Sequence, residues 1–123
     1  MKHESIASII EWHTETFPEA TLDGQIEKFL EERVEYATAE NAEHEIEELA
    51  DCFIVACGIA RFNPIYGGRF LGETFNAFTQ NQDVTISKLQ DAIDAKMQVN
   101  RKRKWGKGKG NYQHLPEGAE NVG

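Results

Sequence analysis

The feature that most constrains the fold is an unbroken apolar run from Cys52 to Ala60, which follows a strongly acidic stretch. Asn41 is a suitable N-cap for a helix over residues 42–62, and the run makes the second half of that helix apolar on every side. Such a helix must be surrounded by other elements. Because the run is too short to cross a bilayer, the sequence predicts a buried central helix.

Hydrophobic periodicity predicts further helices around this one. They cover residues 4–16, residues 22–39 after the N-cap Thr21, a short stretch over 69–80, and residues 84–104. Asn63-Pro64 and Gly67-Gly68 predict that the central helix ends there and that a looser segment follows. No segment alternates with period two, so the predicted class is all-α. One domain is expected over residues 1–105, with a flexible glycine- and lysine-rich tail over 106–123.

Two groups of carboxylates stand out in the acidic stretch. Glu31, Glu32 and Glu35 form the first group, and Glu48 and Asp51 form the second. On helices, the i,i+3 pairs Glu32/Glu35 and Glu48/Asp51 would each present two carboxylates from one side. Two such pairs facing each other would make a site for a hard divalent cation, and oxygen-only ligands favour Mg²⁺ or Mn²⁺.

The helix that carries the first group argues against a site. Its glutamates lie with Gln25 and Lys28 opposite an apolar stripe, which is the pattern of an exposed acidic surface. The central helix argues for a site, because Asp51 stands where a polar stripe runs into the apolar run. A charge there is costly unless a metal ion or a cation from elsewhere in the chain compensates it. The predicted stripe consists of Leu22, Ile26, Phe29, Leu30, Val34 and Ala37.

Several other kinds of site are excluded by the residues present. There is no Glu-x-x-His motif, EF-hand loop, P-loop, Gly-x-Ser-x-Gly or Cys/His cluster. Cys52 and Cys57 would point about 140° apart on a helix, so we expect no disulfide between them and a reducing compartment. The first residues lack the apolar core of a signal peptide, and we therefore expect a soluble cytoplasmic protein without membrane contacts.

The charge is unevenly distributed along the chain. A net charge of −8 argues against general binding of nucleic acid, yet the C-terminal part is basic. This cluster leaves open a helical nucleic-acid-binding module, and a non-catalytic helical dimer is also possible. The five carboxylates discriminate between these and an enzyme, because a binding module has no need of them. The basic cluster consists of Arg101, Lys102, Arg103, Lys104, Lys107 and Lys109.

Three blocks of the sequence resemble the MazG-like nucleoside triphosphate pyrophosphohydrolases. Residues 25–35, QIEKFLEERVE, are similar to the signature Q-x-x-K-L-x-E-E-x-x-E, with Phe29 in place of the Leu. Residues 48–51, ELAD, resemble the E-x-x-D that completes the motif. Residues 96–103, KMQVNRKR, resemble the third block, in which a Lys precedes an Asn and basic residues. The three blocks occur in the same order as in the family.

The resemblance extends over residues 12–105, and residues 16–21, TFPEAT, are similar to small phage-type members. It implies an all-α fold whose four-helix core is completed by a second subunit in a homodimer or homotetramer. It also implies Mg²⁺-dependent hydrolysis of a (deoxy)nucleoside triphosphate to the monophosphate and pyrophosphate. It does not identify the base.

Roles for individual residues follow from the same resemblance. The implied metal ligands are Glu32, Glu35, Glu48 and Asp51. Glu31 would be an accessory ligand or would orient the attacking water. The implied substrate contacts are Lys28, Lys96, Asn100, Arg101 and Arg103. We expect Trp12, Phe17 and Trp105 to pack in the core, with stacking on a base as the alternative. His13 and His44 are expected at the surface or near helix caps, without a catalytic role.

Overall fold

The computed structural model describes residues 2–107 and 112–114. In this part of the chain there are five helices and one short antiparallel hairpin, so the predicted all-α class is confirmed. The predicted domain boundary after residue 105 falls inside the first strand. Residues 106–107 and 112–114 of the predicted tail belong to the hairpin, and residues 108–111 and 115–123 lie outside the described residues. The elements are α1 (Ile6–Thr16), α2 (Leu22–Ala37), α3 (Ala42–Phe62), α4 (Pro64–Gln80), α5 (Ile86–Lys102), β1 (Trp105–Lys107) and β2 (Tyr112–His114).

Helix α3 is the centre of the fold and packs against each of the other four helices. Its apolar run is largely buried, as predicted, because the other four helices surround it. Within the described residues, no helix is both long and apolar enough to span a membrane. The main core includes Ile9, Trp12, Leu49, Phe53, Ile54, Cys57, Leu89, Ile93 and Met97.

Side-chain caps set where the helices begin. Thr21 and Asn41, the two predicted N-caps, accept hydrogen bonds from backbone amides in the first turns of α2 and α3. Helices α1 and α5 each begin two residues later than predicted, because Ser5 and Thr85 serve as their N-caps. The bounds of α3 agree with the predicted range 42–62.

The predicted looser segment after α3 is wrong. Asn63 ends α3 and also caps α4, since its side chain accepts hydrogen bonds from the amides of Ile65 and Tyr66. Pro64 is the first residue of α4, where its missing N–H has no intrahelical role and its fixed φ already suits a helix. Gly67 is buried where α4 crosses α3. The residues that predicted a break therefore build a tight turn between two helices.

The predicted orientation of α2 is wrong in part. Phe29 is buried as expected, but Leu30 and Val34 are 56% and 64% exposed. Gln25 and Glu32, both assigned to the exposed side, are buried against the rest of the chain. A helical wheel identifies the apolar face of a helix but not which neighbour covers it. Here α2 turns a partly polar face towards α3, and this rotation forms the site.

Candidate metal centre

Three carboxylates from α2 and α3 converge on one point. Glu32 projects from the buried face of α2, and Glu48 and Asp51 follow each other by one turn on α3. One carboxylate oxygen from each lies within 4.8 Å of the other two. Oxygen ligands on opposite sides of a single Mg²⁺ are about 4 Å apart, so small side-chain adjustments bring these three into range.

The burial of these groups distinguishes them from an ordinary acidic surface. Glu32 and Glu48 are only 7% and 6% exposed, and the Oε2 atom of each has no hydrogen-bond partner among the described residues. A buried carboxylate oxygen without a partner is costly in free energy. A hard divalent cation held by these carboxylates would offset that cost. The donor set therefore fits Mg²⁺ or Mn²⁺.

Glu35, the fourth predicted ligand, lies at the exposed edge of this cluster. Hydrogen bonding to the side chain of Glu32, and then to that of Glu48, lowers the pKa of Glu35. Burial, followed by the charge of Asp51, raises the pKa of Glu32 to about 8. Burial and the contact with Glu35 raise the pKa of Glu48 to about 7. A metal ion would have to displace these protons.

Cations from two other helices flank the carboxylates. Lys96 on α5 places Nζ 3.3 Å from Oδ2 of Asp51, which is the compensating cation that the sequence left open as an alternative to a metal. Lys28 on α2 places Nζ 3.6 Å from Oε1 of Glu32 and 3.8 Å from Oε2 of Glu31. Glu31 itself is exposed and lies outside the three-carboxylate cluster.

His44 was not predicted to be near the site, but its Nε2 atom is 3.5 Å from Oε1 of Glu48. The signal was present in the sequence, because His44 and Glu48 are i,i+4 neighbours on one helix. This contact places the imidazole beside the carboxylate of Glu48 at the edge of the cluster.

A cavity of about 240 Å³ opens beside Glu32 and Asp51. Trp12 and Trp105 form edge-to-face contacts with Phe17, at ring-centroid distances of 5.2 and 5.1 Å, and all three rings line the cavity. The cavity therefore places apolar aromatic surface next to an acidic and a basic group. A larger, polar depression of about 440 Å³ near Arg33 shares no lining residue with the carboxylate cluster.

Four of the five predicted substrate-binding residues, Lys28, Lys96, Asn100 and Arg103, line this cavity. The structure does not bring Arg101 to it. The guanidinium of Arg101 instead donates two hydrogen bonds to the carboxylate of Glu4, with N–O distances of 2.9 and 2.8 Å. This pair fastens the N-terminal segment to α5.

Of the two positions expected for His13, the surface is wrong, because its side chain is 3% exposed and borders the cavity. It does lie next to a helix cap, since its carbonyl accepts a hydrogen bond from the C-cap amide of Phe17. Its Nε2 atom is 3.0 Å from Oε1 of Gln25, and its Nδ1 atom is 3.0 Å from Nη1 of Arg61. Burial lowers its pKa to about 4, so the imidazole is neutral at physiological pH. The sequence did indicate this burial, because His13 follows the buried Ile9 by one turn on the same face of α1.

The titrations of these groups predict a pH-dependent stability. Glu32 and Glu48 have pKa values above the ordinary 4.5, so between that value and about pH 8 the folded state binds more protons than the unfolded state. Their contribution to the free energy of unfolding therefore falls as the pH rises. His13 acts in the opposite direction, but only below pH 6.5. We expect the metal-free melting temperature to fall between pH 6.5 and 8.

Saturating Mg²⁺ or Mn²⁺ should raise the melting temperature and flatten this pH dependence, because the cation binds the deprotonated folded state. Thermal melts at pH 6.5 and pH 8, with EDTA and with each cation, measure both effects. A melting temperature that is indifferent to either cation at pH 8 would contradict the site.

Neither a protein-family model, nor a curated protein, nor a solved structure matches this chain.

Proposed function

We propose that the protein hydrolyses a (deoxy)nucleoside triphosphate to the nucleoside monophosphate and pyrophosphate, with Mg²⁺, or alternatively Mn²⁺, as cofactor. One observation carries the proposal: Glu32 and Asp51, which form a cluster of three carboxylates with Glu48, line a cavity with aromatic and cationic walls. A nucleotide has matching parts, since its base can stack on the rings and its phosphates can lie between the carboxylates and the cations. The resemblance of the sequence blocks supports the same activity.

In this proposal the carboxylates of Glu32, Glu48 and Asp51, together with Glu35, hold the ion. A divalent cation bound there supplies charge that offsets that of the phosphates and makes an attacking water easier to deprotonate. Glu31, which is exposed and pairs with Lys28, would be an accessory ligand or would orient the attacking water, as the resemblance implies. The reaction then depends mainly on positioning and on fixed charge.

The two lysines of the site would exchange their carboxylate partners for phosphate oxygens. Lys28 and Lys96 pair with carboxylates in the free chain. If the carboxylates hold a cation, the ammonium groups of Lys28 and Lys96 would become available to phosphate oxygens. Arg103 lines the same cavity from the end of α5, and its guanidinium can reach a phosphate as a bidentate donor. In this proposal Lys96 and Arg103 therefore act on the phosphates of a nucleotide rather than on nucleic acid.

The activity is tested by incubating the protein with each of the common (d)NTPs and Mg²⁺ and resolving the products. We expect the monophosphate and pyrophosphate in equal amounts, because attack at the α-phosphorus releases pyrophosphate as a unit. An incubation with EDTA provides the control and should show no turnover. Diphosphate with inorganic phosphate, or no turnover of any triphosphate, would refute the proposal.

We also propose that a second copy of the chain covers the exposed apolar face of α2. Leu30 and Val34 lie one turn apart on that face, and they alternate with Glu31 and Glu35 of the site. A partner bound there would exclude water from the edge of the metal centre. The resemblance implies the same kind of assembly.

Light scattering combined with size-exclusion chromatography is expected to show a dimer or tetramer. The double variant Leu30→Lys/Val34→Lys should shift the protein to a monomer, because it places two charges in the interface. Ile65→Lys/Ile86→Lys is the matched control, since both isoleucines are exposed on other helices. A parent chain that is monomeric at micromolar concentration would contradict this part of the proposal.

A further inference from the structure

Two side chains that line the aromatic cavity, His13 and Gln25, belong to a chain of three hydrogen-bonded side chains that also includes Arg61. Nη1 of Arg61 is 3.0 Å from Nδ1 of His13, and Nε2 of His13 is 3.0 Å from Oε1 of Gln25. His13 and Gln25 are 3% and 5% exposed, so water does not compete for these hydrogen bonds. Arg61 is held by a 2.7 Å hydrogen bond to the carbonyl of Phe17 and lies 4.5 Å from the ring centroid of Phe62.

The chemistry of arginine fixes the direction of every hydrogen bond in this chain. A guanidinium has donors and no acceptor, so Nδ1 of His13 must be the unprotonated nitrogen. The ring proton of neutral His13 is therefore on Nε2, and Nε2 donates to Gln25. The amide of Gln25 must consequently present its oxygen to His13 and its NH₂ group away from it. Neither the tautomer nor the amide orientation is free to reverse.

The NH₂ group is therefore what Gln25 can offer to a ligand. Gln25 lines the cavity, and within the described residues its side chain hydrogen bonds to His13 alone. Gly58 on α3 leaves the necessary space, because a Cβ there would lie 2.8 Å from Nε2 of His13 and 3.0 Å from Oε1 of Gln25. Because Gly58 has no side chain, His13 of α1 and Gln25 of α2 can approach α3 closely, and the Gln25 side-chain amide can lie at the wall of the cavity.

We propose that Gln25 determines base specificity and selects a base that presents a carbonyl oxygen over one that presents an exocyclic amino group. This rests on the proposed function, since it assigns the base to the aromatic cavity and the phosphates to the carboxylates and lysines. The NH₂ group donates to a carbonyl, whereas an amino group at the same position would face it donor to donor. The substrate class is thus a uracil or thymine nucleotide in preference to cytosine, and hypoxanthine in preference to adenine.

Equilibrium binding of nucleoside monophosphates tests this without requiring catalysis. The pairs dUMP/dCMP and dIMP/dAMP exchange a carbonyl for an amino group at one ring position and change the protonation of the neighbouring ring nitrogen. By calorimetric titration we expect the carbonyl member of each pair to bind about tenfold to a hundredfold more tightly, the range set by one buried unsatisfied donor. The ratio kcat/KM for dUTP over dCTP should follow the same order.

Two substitutions separate this role from a structural one. Gln25→Glu retains an acceptor for His13 but presents a second oxygen to the ligand, so the preference should disappear or reverse. Gln25→Met retains the volume without any donor, so the two members of each pair should bind equally. The new charge in Gln25→Glu weakens the binding of all nucleotides alike. The diagnostic quantity is therefore the ratio of the two dissociation constants within each pair. Gln98→Glu, at an exposed position on α5, is the control and should leave the ratios unchanged.

Failure of this inference can be distinguished from failure of the proposed activity. A carbonyl preference that Gln25→Glu removes, without hydrolysis of any triphosphate, supports the role of Gln25 and refutes the hydrolase. Hydrolysis with equal ratios in both pairs, or with ratios that Gln25→Glu leaves unchanged, refutes the role of Gln25. No binding of any of the four monophosphates refutes it as well.

Discussion

The Asp51→Asn variant should release pyrophosphate from its best nucleoside triphosphate about a hundredfold to a thousandfold more slowly than the parent chain. Asparagine keeps the size of the side chain but removes one of the three charges that converge on the candidate ion site. The substitution also leaves Lys96 without its carboxylate partner, so an ammonium group replaces negative charge next to the metal position. Both effects should weaken binding of the cation that the proposed reaction requires.

The rate is measured from initial velocities of pyrophosphate release at saturating Mg²⁺. Asp94→Asn is the matched control, because Asp94 is an α5 carboxylate that accepts hydrogen bonds from His3 and from the amide of Glu4, outside the cavity. The control should retain its rate, although it loses contacts of the N-terminal segment. The increase in melting temperature caused by Mg²⁺ should disappear in Asp51→Asn and persist in Asp94→Asn. A parental rate in Asp51→Asn would exclude Asp51 from the site.

Much of the candidate centre could be predicted from local spacing. Glu48 and Asp51 are neighbours on one well-capped helix, and the apolar run after them indicates an enclosed environment. The inward turn of Glu32 could not be predicted in the same way. Leu30 and Val34 supply a second apolar face on α2, and a wheel cannot show that the chain itself buries the other face. This choice depends on what surrounds α2, which is information that the helix alone does not contain.

The hydrogen-bonded chain beside the cavity could not be predicted from the sequence, for a related reason. His13, Gln25 and Arg61 come from α1, α2 and α3, and each has an ordinary surface interpretation when it is considered alone. Their burial becomes favourable only when all three are together, because each satisfies a polar atom of the next. Hydrogen-bond chains of this kind involve residues far apart in sequence, and helical periodicity has no information about them.

The segment after α3 shows the same limit for glycine and proline. Asn63-Pro64 and Gly67-Gly68 usually interrupt regular structure, and they predicted a loop. The outcome depended instead on position, since Pro64 occupies the one turn of a helix that tolerates it, after a strong N-cap. Gly67 costs α4 some helix propensity, but its lack of a side chain allows α4 to cross α3 at close range. That close approach of α4 to α3 could not be predicted from the sequence.

Gly67→Ala is expected to lower the free energy of unfolding by about 3 kcal/mol or more, at the upper end of overpacking substitutions. A Cβ at this position would overlap Cα and Cβ of Ala60 and would lie 2.7 Å from the Ala60 amide nitrogen. Those atoms belong to the buried central helix and cannot rotate away as a flexible side chain could. Relief therefore requires α4 to move away from α3, which opens the contact between Phe29 and Phe70, now 4.8 Å between ring centroids.

The neighbouring Gly68 provides the control for this prediction, because a Cβ there would meet no atom within 4 Å. Gly68→Ala replaces glycine by a stronger helix former in the same turn of α4, so it should raise the free energy of unfolding by about 0.4–1 kcal/mol. Urea denaturation of both variants measures the two changes on one scale. If Gly67→Ala were as stable as Gly68→Ala, α4 would not cross α3 at Ala60, and the packing that encloses α2 would have to be revised.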